Sequence, residues 1–189
     1  MTEPRRGQPT EPTASIAWEN RQRRRYELID GAVRLMSGGT LAHDLISGNI
    51  AAALRMLLAG LSCFVHGTSL KVHSPVGMVT YPDVFVRCGN ILDEDATEID
   101  DPLVIVEVLS PGTRGEDLVT KRWAYQAIPS LLALFYVEPK TAKVELCTKE
   151  QDGTWRGRFV EGVVGDVPLE SLSTALPIRA VYAGTKVVG

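Results

Sequence analysis

The chain has 189 residues, with 20 Lys and Arg against 23 Asp and Glu, and a sequence isoelectric point of about 5.7. This length suits one domain with a sizeable core. The slight acidic excess argues against a broad basic coat, and so against strong nonspecific coating of DNA, while leaving room for a local cationic groove.

The first 13 residues are rich in Pro, Thr, Glu and Arg and read as a flexible tail, followed by one domain over residues 14–189. No stretch approaches the roughly 20 apolar residues of a membrane helix, so no membrane partner is expected. The N-terminus lacks the apolar core of a signal peptide, which gives a cytoplasmic expectation. Cys63, Cys88 and Cys147 are odd in number and widely spaced. They match neither a zinc site nor a disulfide framework and are expected to be buried thiols.

In chain order, a short helix is expected over residues 14–22, ending in the arginine cluster Arg21 and Arg23 to Arg25. That cluster reads as a solvated face or as a contact for a phosphate backbone. Tyr26 to Ile29 and Ala32 to Met36 flank Asp30-Gly31, a strong hairpin signal. A glycine-containing loop leads into a helix over residues 41–59, on which Leu45, Ile46, Ile50, Ala53, Leu54, Leu57 and Leu58 recur at helical spacing. Gly60 suits its end. Strands are expected at 63–65, 69–73, 81–87 and 103–109, with an acidic loop over 93–101 between the last two. A helix over 115–127 follows, its first turn carrying Glu116 and Asp117, which suit the positive end of the helix dipole. A buried strand at 131–137 and a hairpin of 143–148 with 155–160 complete the clear elements; beyond Gly165 the pattern is weak. The order implies an α/β (α+β) domain, a mixed sheet packed by helices.

Leu103 to Leu109 is the most informative segment. It reads as a strand buried on both faces, yet it contains Glu107. An ionised carboxylate there costs several kcal/mol unless a cation, a metal or hydrogen-bond donors compensate it. Asp83 follows Pro82 and therefore sits at a strand entrance, with Phe85 and Arg87 on its face. Lys121 lies on the next helix, four residues after Asp117, where an ordinary surface pair is the plain alternative. Tyr125 and Gln126 on the same helix face either the site or the core. His43 opens the long helix and can approach a phosphate, or else is simply an exposed first-turn residue. Glu27 adds a third carboxylate or faces solvent. His66 and His73 receive no role. Two carboxylates on neighbouring strands with a nearby lysine suit metal-assisted hydrolysis of a phosphodiester.

Together these residues resemble a known family. Tyr26-Glu27-Leu28-Ile29-Asp30-Gly31, Met36-Ser37, His43 and Ser47-Gly48-Asn49 match its N-terminal half. Pro82-Asp83-Val84, Val106-Glu107-Val108-Leu109-Ser110-Pro111, and Asp117 with Lys121 match its centre. The family is the Uma-type restriction endonuclease family of the PD-(D/E)XK nuclease superfamily, and the match runs from Tyr26 to beyond Val137. The resemblance implies a restriction-endonuclease-like mixed sheet flanked by helices. It implies that Asp83 and Glu107, with a backbone carbonyl near Val108, bind Mg²⁺ or Mn²⁺, and that DNA is the substrate. The superfamily's lysine normally stands two residues after the glutamate, where this chain has Leu109; the resemblance implies that Lys121 on the following helix replaces it. His43 and Glu27 match family positions beside the same cleft. A homodimer is expected, since cutting two strands needs two sites. The alternatives are a noncatalytic nucleic-acid-binding or interaction module that keeps the fold, and an enzyme acting on another phosphoester.

Overall fold

The computed structural model describes residues 11–36, 38–110 and 115–188, without the side chains of residues 116 and 117. The elements in chain order are α1 (Pro12–Glu19), β1 (Tyr26–Ile29), β2 (Ala32–Leu35), α2 (Leu41–Leu57), β3 (Cys63–Gly67), β4 (Lys71–His73), β5 (Val79–Thr80), β6 (Val84–Cys88) and β7 (Glu98–Ile99). After them come β8 (Val104–Val108), α3 (Glu116–Gln126), β9 (Ala133–Val137), β10 (Lys143–Lys149), β11 (Trp155–Glu161), β12 (Asp166–Leu169), β13 (Thr174–Pro177) and α4 (Ile178–Val181).

The central sheet has six strands in the order β11-β10-β9-β8-β6-β3. Only the β8–β9 pair is parallel among them, and α3 makes the crossover. A parallel pair cannot be closed by a tight hairpin, which is why a helix intervenes here. A second sheet, β2-β1-β5-β4-β7, is built from short strands, and β12 pairs with β13.

The inner strands β8 and β9 are buried on both faces, which explains their nearly unbroken apolar runs. Side chains alternate across the sheet. Val104, Val106 and Val108 join Ala133, Phe135 and Val137 in a core under α2 and α4. Ile105 and Leu109 join Phe85, Leu134 and Tyr136 in a second core covered by α3 and the small sheet. Glu107 therefore points into the second core. On α2, Ile46, Ile50, Leu54 and Leu58 are buried while Leu57 is partly exposed, so the stripe is narrower than expected. Asp30 and Gly31 both have positive φ, 50° and 68°, as the β1–β2 hairpin turn demands.

Several expectations are corrected. The expected tail 1–13 overlaps α1, because Pro12 and Thr13 are helical; Pro12 stands in the first turn, where its missing N–H costs no hydrogen bond. Residues 1–10 and 111–114 lie outside the described residues, as do the Glu116 and Asp117 side chains. The expected 81–87 strand starts only at Val84, as β6, and Pro82 lies in the break that separates it from β5, since proline donates no ladder hydrogen bond. The acidic loop contains β7, parallel to β4. The thiol expectation fails for two cysteines: Cys63 and Cys88 face each other across the antiparallel β3–β6 ladder and form a disulfide, with Cα atoms 4.0 Å apart. Cys147 is the free, buried thiol.

Candidate active site

Asp83 sits one residue before β6, and Glu107 lies in β8. The antiparallel register pairs Val84 with Val106, which sets the two carboxylates beside each other at one end of the sheet. The main-chain N–H of Val108 donates to Asp83 Oδ2 at 2.7 Å. Asp83 Oδ2 also meets His43 Nε2 at 3.1 Å. His43 occupies the first turn of α2, where its own N–H donates to the Oγ1 of the N-cap residue Thr40. The Asp83 hydrogen bond holds the imidazole above its ordinary value, against the opposing effect of burial.

Lys121 reaches the same place from α3. Its Nζ donates to Glu27 Oε1 at 2.9 Å and lies 3.7 Å from Glu107 Oε1. Glu27 comes from β1, and its Oε1 also accepts from the Tyr81 main-chain N–H at 3.1 Å. The surface-pair alternative for Lys121 does not hold, because the residue is only 6% exposed. Burial alone would lower its ammonium; the Glu107 and Glu27 carboxylates outweigh that and hold it above its ordinary value. Burial pushes the Glu107 carboxyl up to about 7, aided by Asp83 and Glu27 and opposed by Lys121 and Tyr125.

The structure thus gathers all five side chains singled out in the sequence, Asp83, Glu107, Lys121, His43 and Glu27, around one cleft, with the Val108 main chain beside them. It decides Tyr125 as well. The phenol is fully buried and donates to Glu107 Oε1 at 2.7 Å. Its one proton being so used, Thr80 Oγ1 donates to it at 2.8 Å. The spacing of four between Lys121 and Tyr125 was the available signal, since it puts both on one helix face. Tyr81, Thr80 and Arg34, which also lines the cleft, carried no such signal.

The donor set suits a hard cation. Three carboxylates converge where Lys121, His43 and Arg34 supply positive charge, and oxygen ligands are those that Mg²⁺ accepts. Among the described residues no group of three or more His, Cys, Asp or Glu side chains is placed to hold a metal ion. Mg²⁺ sites of one or two carboxylates completed by water and phosphate need none.

The Uma2 family, described as "Putative restriction endonuclease", matches residues 13–178. The chain belongs to this family. The Uma2 fold is recognisable in a solved structure too: a putative nuclease of DUF820 from Anabaena variabilis shares a TM-score of 0.70 at 17% identity, covering 86% of this chain and 92% of that one. At that identity the likeness concerns the fold. The uncharacterized protein slr1290 of Synechocystis sp. is 30% identical over 175 residues, 92% of this chain and 91% of its own length. The nuclease-like mixed sheet flanked by helices expected from the sequence is therefore the fold of this Uma2 member, and among the described residues no helix is long and apolar enough to cross a membrane.

Proposed function

We propose that this protein is a metal-dependent endodeoxyribonuclease that hydrolyses phosphodiester bonds in DNA, using Mg²⁺ or Mn²⁺. The observation that carries the reading is the meeting of Asp83 and Glu107 on adjacent strands, with Lys121 delivered 3.7 Å from Glu107 by the crossover helix. Membership of a restriction endonuclease family supports it.

Asp83, Glu107 and the Val108 carbonyl would hold the ion. When bound, it would supply Lewis acidity and neutralise charge on the phosphate. The remaining work falls to the chain itself. Val108 N–H and His43 fix one oxygen of Asp83. Tyr125 fixes one oxygen of Glu107. Lys121, held by Glu27, carries the positive charge nearest the reacting phosphate and stabilises the charge that develops there. His43, in the first turn of α2 and open to the outer groove, orients or exchanges a proton with the incoming phosphate or water. Cutting both strands of a duplex would need two copies, and a homodimer is the assembly expected for that task. The cytoplasm remains the expected compartment, although the Cys63–Cys88 disulfide is a bond that reducing compartments disfavour.

The test is calorimetric titration with Mg²⁺ and Mn²⁺, followed by cleavage of plasmid and oligonucleotide DNA. Native protein and the double variant Asp83→Ala, Glu107→Gln are compared. Binding and cleavage that vanish together in the variant support the reading. Cleavage that persists in the variant overturns it. Salt-sensitive DNA binding with no cleavage under any metal identifies the noncatalytic module instead.

A further inference from the structure

The narrow cleft opens into a much wider groove, and the two form one depression. They share Leu35, Met36, Gly38, Gly39, His43 and Asp83. The outer groove holds about 1000 Å³ and the inner cleft about 160 Å³. At the inner end, the Glu107 and Lys121 side chains are 10% and 8% exposed.

A phosphate must therefore leave the outer groove and enter the inner cleft to reach these little-exposed groups. A stacked duplex resists such bending, because its backbone is held outside a stiff cylinder. An unpaired strand bends freely. The outer groove, about 1000 Å³, stands at the upper end of the range for small-ligand pockets, which is room for a few nucleotides of one strand.

We propose that the outer groove seats a single unpaired DNA strand and feeds it into the carboxylate cleft, so that the substrate is single-stranded or frayed DNA rather than an intact duplex. The proposal rests on the nuclease reading above. Arg24 and Arg25 stand in the groove lining. Arg25 is anchored, donating to the Thr68 carbonyl with its guanidinium 5.5 Å from the Tyr81 ring centroid. Arg24 is exposed and available to backbone phosphates. Asp44 and Asp83 are the carboxylates in the lining, and Asp83 already has His43 and Val108 N–H as partners. Leu35 and Leu41, 48% and 75% exposed, give the groove apolar surface against which base faces can rest.

Gly48 adds an independent argument. It lies inside α2, where glycine costs on the order of 1 kcal/mol relative to alanine. Among the described residues a Cβ there would meet nothing within 4 Å. Packing among those residues therefore gives no reason for the missing side chain, while a strand passing close along the groove wall does.

The experiment measures fluorescence anisotropy of a labelled oligonucleotide of about 12 nucleotides, within the footprint of a small strand-binding module. It is run in chelator, against the same sequence closed as a hairpin duplex. The single strand is expected to bind at least about tenfold more tightly, equivalent to about 1.4 kcal/mol. Gly48→Leu, which improves helix propensity while filling the groove, is expected to keep or raise the melting temperature and lose most strand binding. Arg24→Glu is expected to weaken binding and to flatten its salt dependence. Equal or tighter duplex binding, no binding of either form, or unchanged strand binding by Gly48→Leu overturns the proposal. Cleavage separates the two readings. Strand binding without metal-dependent cutting retires the nuclease and leaves the groove; duplex cutting with no preference for the single strand does the reverse.

Discussion

Replacing Glu107 with Gln removes a charge from the interior and keeps the shape. Glu107 is 8% exposed, in the core between the central sheet and α3. Burial lifts its carboxyl from an ordinary 4.5 to about 7. A group raised in this way favours folding in its protonated form. Its contribution is fully present below pH 4.5 and is lost as pH rises through about 7, the whole difference being worth a few kcal/mol, on the order of 3. The Gln amide keeps an acceptor for Tyr125, and Lys121 keeps Glu27 at 2.9 Å, so the lysine is not left unpaired. The variant is therefore expected to match the native protein near pH 4.5 and to exceed it above pH 8, by roughly 2–3 kcal/mol. For a chain of this size that is a melting-temperature gain of about 4–10 °C. The assay is thermal unfolding across pH in chelator, with catalytic activity expected to be lost in the same variant. A variant less stable than the native protein above pH 8, or a difference that does not change between low and high pH, refutes the reasoning.

Lys121→Met leaves Glu107 and Glu27 facing each other without their shared cation, and is expected to cost about 3–5 kcal/mol near neutral pH, read by urea unfolding. His43 gains stability from Asp83 in its charged form; that contribution is present below its ordinary pKa of 6.5 and disappears as pH rises through the raised folded value, so His43→Gln should be most destabilising at acidic pH in a melting series. Among the described residues the buried Tyr136 hydroxyl has no hydrogen-bond partner, and Tyr136→Phe is expected to be neutral or stabilising by about 1 kcal/mol in the same unfolding assay. Reducing the Cys63–Cys88 bond, which spans 25 positions, should cost about 3 kcal/mol, with thiol titration counting one free thiol before reduction and three after.

The elements legible in the sequence are those whose burial is written locally. β8 and β9 are apolar runs because both of their faces are covered, and Glu107 stands out because nothing polar belongs there. Asp83 was legible through Pro82, which marks the strand entrance. Lys121 was ambiguous because its sequence spacing to Asp117 suits a surface pair; only the docking of α3 decides that it points inward. In the small sheet the β1–β2 hairpin and β4 fall within expected strands, whereas β5 and β7 are not legible, because they have two residues each, too few for any periodicity, and pair with distant segments. The disulfide escaped for the same reason, since the β3–β6 register and not the spacing brings Cys63 to Cys88. The sequence alone does not separate a site role from a core role for Tyr125, and it serves both: its ring is fully buried and its hydroxyl holds Glu107.

The parallel crossover has a consequence for a chain still leaving the ribosome. Glu27 is synthesised early, yet its lysine partner lies 94 residues later, on a helix whose place is fixed only when β9 pairs with β8. A nascent chain that stops short of Val137 holds Asp83 and Glu107 without the frame that sets Lys121 against them. If the cleft cuts DNA, the order of synthesis itself keeps truncated products harmless, because the cleft assembles only after the central strands are complete.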